Sequence, residues 1–171
     1  ECIIFDAGSG LRELSLSLRQ RPGFSAGGRV FHIFFSHFHW DHIQGIPFFS
    51  QAFDPRNHLI FYSTNPDLEQ ILCDQMKQPY FPVPMIGPGG FRAKIDFIHL
   101  VDPEIPVVLG DSKISWLQAN HPGGCVAYKV TENDTRYVYS TDTEHTRDDF
   151  LDTPEIKNFL SGADVIVVGS Q

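Results

Sequence analysis

Ser36-His37-Phe38-His39-Trp40-Asp41-His42 follows directly on the apolar run Val30-Phe31-His32-Ile33-Phe34-Phe35. That run predicts a buried strand, interrupted only by His32. The histidines therefore fall where a strand ends and the chain turns. In an extended stretch His37 and His39 project to the same side, because side chains alternate. Asp41 and His42 come after the turn. Imidazoles and a carboxylate packed this densely suit a borderline or hard divalent cation. A lone histidine here would read as an ordinary loop residue. H-x-H-x-D-H behind an apolar strand reads as a ligand set.

Upstream, Cys2-Ile3-Ile4-Phe5 predicts another buried strand and Asp6-Ala7-Gly8-Ser9-Gly10 a tight turn. Leu11, Leu14 and Leu18 recur at helical spacing, so the turn opens a helix of about ten residues. No Lys-Ser/Thr follows the glycines, which argues against a phosphate-binding P-loop. Asp6 suits a carboxylate that caps the turn or the helix. Arg19 to Gly28 is a loop of Pro, Gly, Ser and Arg.

Downstream, Ile43 to Phe49 predicts a short helix with Pro47 in its first turn and its N-terminus toward the histidines. Its aromatics read as core. Leu59 to Tyr62 is the next strand. Asn65 and Pro66 suit the cap and first position of a helix whose buried face is Leu68, Ile71, Leu72 and Met76. Pro79 to Gly90 can be neither helix nor central strand. It is either a cover over a site or a stiff connector packed on the core.

Strands are expected over 93–101, 105–108, 113–117, 125–130 and 136–139, with a hairpin turn at Glu132-Asn133-Asp134. Asp152 or Thr153 can cap a final helix with Pro154 in its first turn, and Ala163 to Val168 is a last strand. Two loops behind these strands carry side chains able to bind a metal, although His121 taken alone reads as an ordinary loop histidine. One is Asn120-His121-Pro122-Gly123-Gly124; the other is Ser140-Thr141-Asp142-Thr143-Glu144-His145. His32, His58 and His99 lie in or beside strands and read as structural.

A length of 171 residues suits a single domain with a real core. No apolar run approaches the roughly 20 residues of a membrane span. The net charge of -8 argues against a large nucleic-acid footprint. It does not argue against a small anion, because bound cations make a pocket locally positive. Cys2, Cys73 and Cys125 are too few and too scattered for a disulfide framework, which points to a reducing, cytoplasmic setting.

The H-x-H-x-D-H run, with a later lone histidine and a later aspartate, resembles the metallo-β-lactamase superfamily of metal-dependent hydrolases. The resemblance implies an α+β fold, an αββα sandwich of the metallo-β-lactamase type, over 1–171. It implies that His37, His39 and His121 bind one metal, that Asp41 and His42 bind a second, and that Asp142 bridges the two. Two divalent ions are then the cofactors, zinc first, with manganese or iron as alternatives. Members with two metals carry a final histidine that this sequence lacks after His145, and the opening strands of the first sheet are also missing. The expectation is therefore a chain without its native terminal portions.

The stretches Phe5-Asp6-Ala7-Gly8-Ser9-Gly10 and Ser140-Thr141-Asp142-Thr143-Glu144 are most similar to the ribonuclease-Z-like and cyclic-nucleotide phosphodiesterase-like branch. The implied activity is phosphodiester hydrolysis by a metal-bridging hydroxide, with Asp41 as catalytic carboxylate and Asp6, in its D-x-G turn, either orienting a ligand histidine or only capping the turn. His145 or Glu144, close behind Asp142, is placed to contact substrate or to protonate a leaving oxygen. The partner is a small phosphodiester, with nucleic acid less favoured, no membrane, and a homodimer compatible. Two alternatives stay open: a thioester or lactone hydrolase of the same fold, and a non-catalytic module that binds a metal or nucleotide.

Overall fold

The computed structural model describes residues 1–24, 27–143 and 154–169. It divides into two compact units, 1–100 and 101–171. The first is built on a parallel sheet of β1 (Cys2–Phe5), β2 (Val30–Phe34), β3 (His58–Ser63) and β4 (Lys94–His99), in that spatial order. Register runs from Cys2 opposite Phe31 to Phe34 opposite Tyr62. The strands of parallel sheets read as continuous apolar runs, as Val30 to Phe35 does.

Parallel neighbours need crossovers. Helix α1 (Gly10–Gln20) links β1 to β2, and α3 (Leu68–Gln75) links β3 to β4. Phe31, Ile33 and Phe35 alternate along one side of β2, and with Leu59 and Phe61 they pack against Leu11 and Leu18 of α1 and Leu68 and Leu72 of α3 in one core cluster. The start of α3 differs from expectation. Asp67 is its N-cap, while Asn65 Oδ1 accepts the Asp67 N–H at 2.9 Å in a turn that precedes the helix. The Asn side chain thus serves a turn that delays the helix by two residues.

Between β2 and β3 the expected helix over 43–49 is not formed as such. A four-residue helix α2 (Trp40–Ile43) comes earlier and contains Asp41 and His42. Ile46–Phe48 and Ser50–Phe53 then form 3₁₀ turns. Pro47 stands at the start of the first, where no backbone donor is needed. Ile43, Ile46 and Phe49 are core, but Phe48 is exposed, because it falls between the buried positions of the tighter turn. The 79–90 segment has neither helix nor strand. Met85 is buried in the core of this unit and Phe81 packs against it, as a stiff connector requires.

The second unit is a five-stranded sheet in the order β5 (Val107–Leu109), β6 (Ser112–Ala119), β7 (Cys125–Glu132), β8 (Thr135–Ser140), β9 (Val165–Val168). β5 to β8 pair antiparallel and β9 joins β8 parallel. Helix α4 (Pro154–Leu160) packs Phe159 on Ala127 and Val138. Its expected caps, Asp152 and Thr153, lie outside the described residues. No described helix is long and apolar enough to cross a membrane.

Candidate metal centre

The first unit gathers His37, His39, Asp41 and His42 at the C-terminal end of β2, the end at which open α/β sheets carry their sites. His37 is buried and His39 exposed, and their facing nitrogens, His37 Nε2 and His39 Nδ1, are 3.0 Å apart. The His37 and His42 ring centroids are 4.1 Å apart. His42 Nε2 lies 3.4 Å from Asp41 Oδ2. Asp41 is mostly exposed, with 65% of its side chain accessible.

Asp6 organises this cluster from behind. It ends β1 and is buried, with its backbone in the left-handed region at φ 57°. Its Oδ1 accepts the Ser36 N–H at 2.7 Å. Its Oδ2 accepts the Ser36 hydroxyl at 2.6 Å and pairs with His42 Nδ1 at 2.7 Å. Ser36 Oγ also meets His37 Nδ1 at 3.1 Å. One carboxylate therefore fixes the strand end and two imidazoles, the role expected of a group that orients ligands. Of the two readings of Asp6, the contacts favour histidine orientation.

Backbone contact brings the two loops together. Ala7 N–H donates to His42 C=O and Gly45 N–H to Ala7 C=O, both at 2.7 Å. A Cβ on Gly8 would stand 2.1 Å from Asp41 O, and one on Gly45 would stand 2.0 Å from Gly8 O. Only glycine allows this approach. Ser36, Gly8 and Gly45 carry roles that spacing alone does not assign. The available signal was small residues flanking a ligand run on both sides.

In the second unit His121 lies in the β6–β7 loop and Asp142 just after β8. Ligand atoms of these two side chains lie within 4.8 Å of one another. The Gly124 N–H donates to the His121 carbonyl at 2.9 Å, and Gly123 and Gly124 both take φ 86°. Asp142 has φ 52°, and the Gly169 Cα comes close enough that a Cβ there would sit 3.1 Å from Asp142 Oδ1. Glu144 and His145 lie outside the described residues.

The remaining histidines have partners of their own. His32 Nδ1 lies 3.0 Å from the Tyr62 hydroxyl, His58 Nε2 lies 2.7 Å from Asp96 Oδ2, and His99 Nε2 donates to the Thr64 carbonyl at 3.0 Å. Burial lowers the His32 pKa.

Each unit thus presents imidazole and carboxylate donors side by side, the donor chemistry of a divalent transition-metal site. A family model described as "Beta-lactamase superfamily domain" matches residues 1–171. The chain belongs to this family. No curated protein matches it. Among solved structures, the metallo-beta-lactamase fold protein YhfI from Bacillus subtilis is similar at a TM-score of 0.60 and 21% identity, over 95% of this chain and 56% of that one. A diphosphatase from the PhnP family gives 0.57 and 16%, over 95% and 54%. The short form of human tRNase Z gives 0.60 and 13%, over 96% and 80%. The superfamily member thus shares the metallo-β-lactamase fold, and the chain spans little more than half the length of the first two of these structures.

Proposed function

We propose that this chain supplies the dinuclear centre of a metal-dependent hydrolase. His37, His39, His121 and Asp142 would hold one divalent cation, and Asp41, His42 and Asp142 a second. The observation that carries the reading is the Asp6–Ser36 network behind His37 and His42. A buried carboxylate that fixes two imidazoles from behind suits ligands and is superfluous for a solvated loop. Family membership and the paired His121 and Asp142 support the same ligand set.

A divalent cation held there supplies Lewis acidity and a water that is nucleophilic near neutral pH. The chain's own residues do the rest. With Asp6 accepting at His42 Nδ1, the lone pair of that ring sits on Nε2, beside Asp41. Ser36 donates its hydroxyl proton to Asp6, so its oxygen accepts from His37 Nδ1–H, which leaves the lone pair of that ring on Nε2 as well. The exposed Asp41 carboxylate, besides serving as a ligand, would orient the attacking water and take its proton.

The substrate we favour is a small phosphodiester. Proteins of the same fold include a diphosphatase and a tRNase Z, which supports reaction at phosphorus over a thioester or lactone carbonyl. The charge of -8 favours a small substrate over a long nucleic acid. Zinc suits the imidazole-rich set, with manganese or iron next. Three cysteines that form no disulfide suit a reducing compartment. The test is metal analysis of the full chain together with cleavage of bis-p-nitrophenyl phosphate. About two metals per chain and chelator-sensitive turnover are expected of a two-metal mechanism. Turnover of thioesters alone would move the substrate class. One metal or none, without turnover, would leave a binding module.

A further inference from the structure

Far from the histidines, three arginines meet on a cavity of about 520 Å³ whose described lining belongs entirely to the first unit. Arg19 comes from the last turn of α1, Arg56 from the loop before β3, and Arg92 from the loop before β4. These loops stand at the N-terminal ends of the parallel strands, whereas His37 to His42 follow the C-terminal end of β2. Five residues of β2 separate the two ends by about 17 Å at roughly 3.3 Å per residue.

The charges do not cancel. Arg56 binds Asp54 through two hydrogen bonds, Nε to Oδ1 at 2.9 Å and Nη2 to Oδ2 at 2.6 Å. That pairing lowers the Asp54 pKa to about 2, so the carboxylate stays ionised and neutralises Arg56. Arg19 and Arg92 have no hydrogen-bond or ion-pair partner for their guanidinium groups among the described residues. Asp54 is also within electrostatic reach of Arg92, but one carboxylate against three arginines leaves the cavity positive on a chain of net charge -8. The planar guanidinium fork matches a phosphate in a bidentate manner.

Hydrogen bonds tie the floor and wall of the cavity together. Buried Gln51 accepts from the Ser15 hydroxyl at 2.7 Å and donates to the Ser15 carbonyl at 3.1 Å. Asn57 donates to the Gln51 carbonyl at 2.9 Å. Asn57 Oδ1 also accepts the Arg29 N–H at 3.0 Å. Both amides are thus engaged within the protein, so recognition of an anion falls to the arginines. Phe24 and Phe53 add aromatic surface to the lining. Phe24 lies under the Arg29 guanidinium at 5.1 Å. The volume lies within the range of small-molecule sites, about 300–1,000 Å³.

We propose that this cavity is a second binding site, for a molecule that joins a phosphate to an aromatic ring, as a nucleoside monophosphate does. Arg19 and Arg92 hold the phosphate, and the ring lies against Phe24 and Phe53. The inference is independent of hydrolysis at the histidine cluster.

Phenyl phosphate titrated into the metal-loaded full chain, followed by backbone amide NMR, tests it. Saturable shifts at residues 50–57 and 92 are expected, with binding at least tenfold weaker in the R19Q/R92Q variant. Inorganic phosphate and cyclohexyl phosphate should bind several-fold more weakly than phenyl phosphate. Shifts confined to residues 37–42, or equal affinity in the folded double variant, would overturn the proposal. Cleavage of bis-p-nitrophenyl phosphate by R19Q/R92Q should match the wild type, which separates this site from the hydrolase reading.

Discussion

The two units hold their candidate ligands by different means. In the first, side chains do the positioning: Asp6 reaches Ser36 and His42, and Ser36 reaches His37. In the second, backbone conformation is the visible device: His121 sits in a turn closed by the Gly124 N–H, and Asp142 adopts φ 52° beside Gly169. The difference follows from sheet type. A parallel sheet gathers several strand ends on one edge, so β1 can lend a carboxylate to the loop after β2. An antiparallel meander delivers its loops one at a time, and each must shape itself. Both units share one feature, an aspartate in the left-handed region after a strand, Asp6 and Asp142. Such conformations cost of order 1–3 kcal/mol and concentrate at functional sites.

Substitutions that attack each device should separate them. Asp6→Ala strips the acceptor from buried donors on Ser36 and His42. At about 1–3 kcal/mol per unsatisfied group, chemical denaturation should show a loss of about 3 kcal/mol or more. Metal affinity should fall about 10–100-fold. A variant with unchanged affinity would show that the network is structural only. Gly8→Ala comes next. Its Cβ would meet Asp41 O, a backbone atom, at 2.1 Å, so a loss of about 1–3 kcal/mol and a displaced Asp41 are expected. Full activity at wild-type stability would remove that close approach from the account.

A pH effect follows from His32 in the first unit. Its folded pKa is lowered by burial from about 6.5, so the unfolded chain takes up this proton first. The stability associated with neutral His32 is present above about pH 6.5 and is lost as pH falls toward the folded pKa, with a slope of at most about 1.4 kcal/mol per pH unit. His32→Gln should flatten urea-midpoint curves between pH 7 and 5, and parallel curves for both proteins would contradict the assignment. The smallest effect belongs to the second unit. Gly169→Ala places a Cβ 3.0 Å from Asp142 N, a contact that a shift of a few tenths of an ångström relieves. It should cost less than about 1 kcal/mol, within the range of mild overpacking. A large loss of metal affinity with it would mean that Asp142 is as tightly fixed as His42.

Much of this was legible in the chain itself. The Val30–Phe35 run and the H-x-H-x-D-H cluster mark a strand and its ligand loop, because both signals are local and periodic. The strand set of the second unit follows from alternation and the Asn133 turn, which takes φ 51°. The local conformation after the cluster was not legible. Trp40 to Phe53 folds as a short helix and two 3₁₀ turns because Gly45 must touch Gly8, a long-range contact that no propensity encodes. The bridging role of Ser36 is hidden for a similar reason: its partner Asp6 stands 30 residues earlier. The arginine cavity assembles Arg19 from the end of α1 with Arg56 and Arg92 from two loops, and only the sheet topology brings them together.

The central claim is that ligands from both units serve one pair of cations, with Asp142 shared between them. Metal content of the full chain, measured for the wild type and for Asp142→Ala at matched folding, tests it most directly. The account predicts about two metals per wild-type chain and at most one in the variant, where His37, His39 and His121 remain as a three-histidine set. Two metals retained by Asp142→Ala would contradict it.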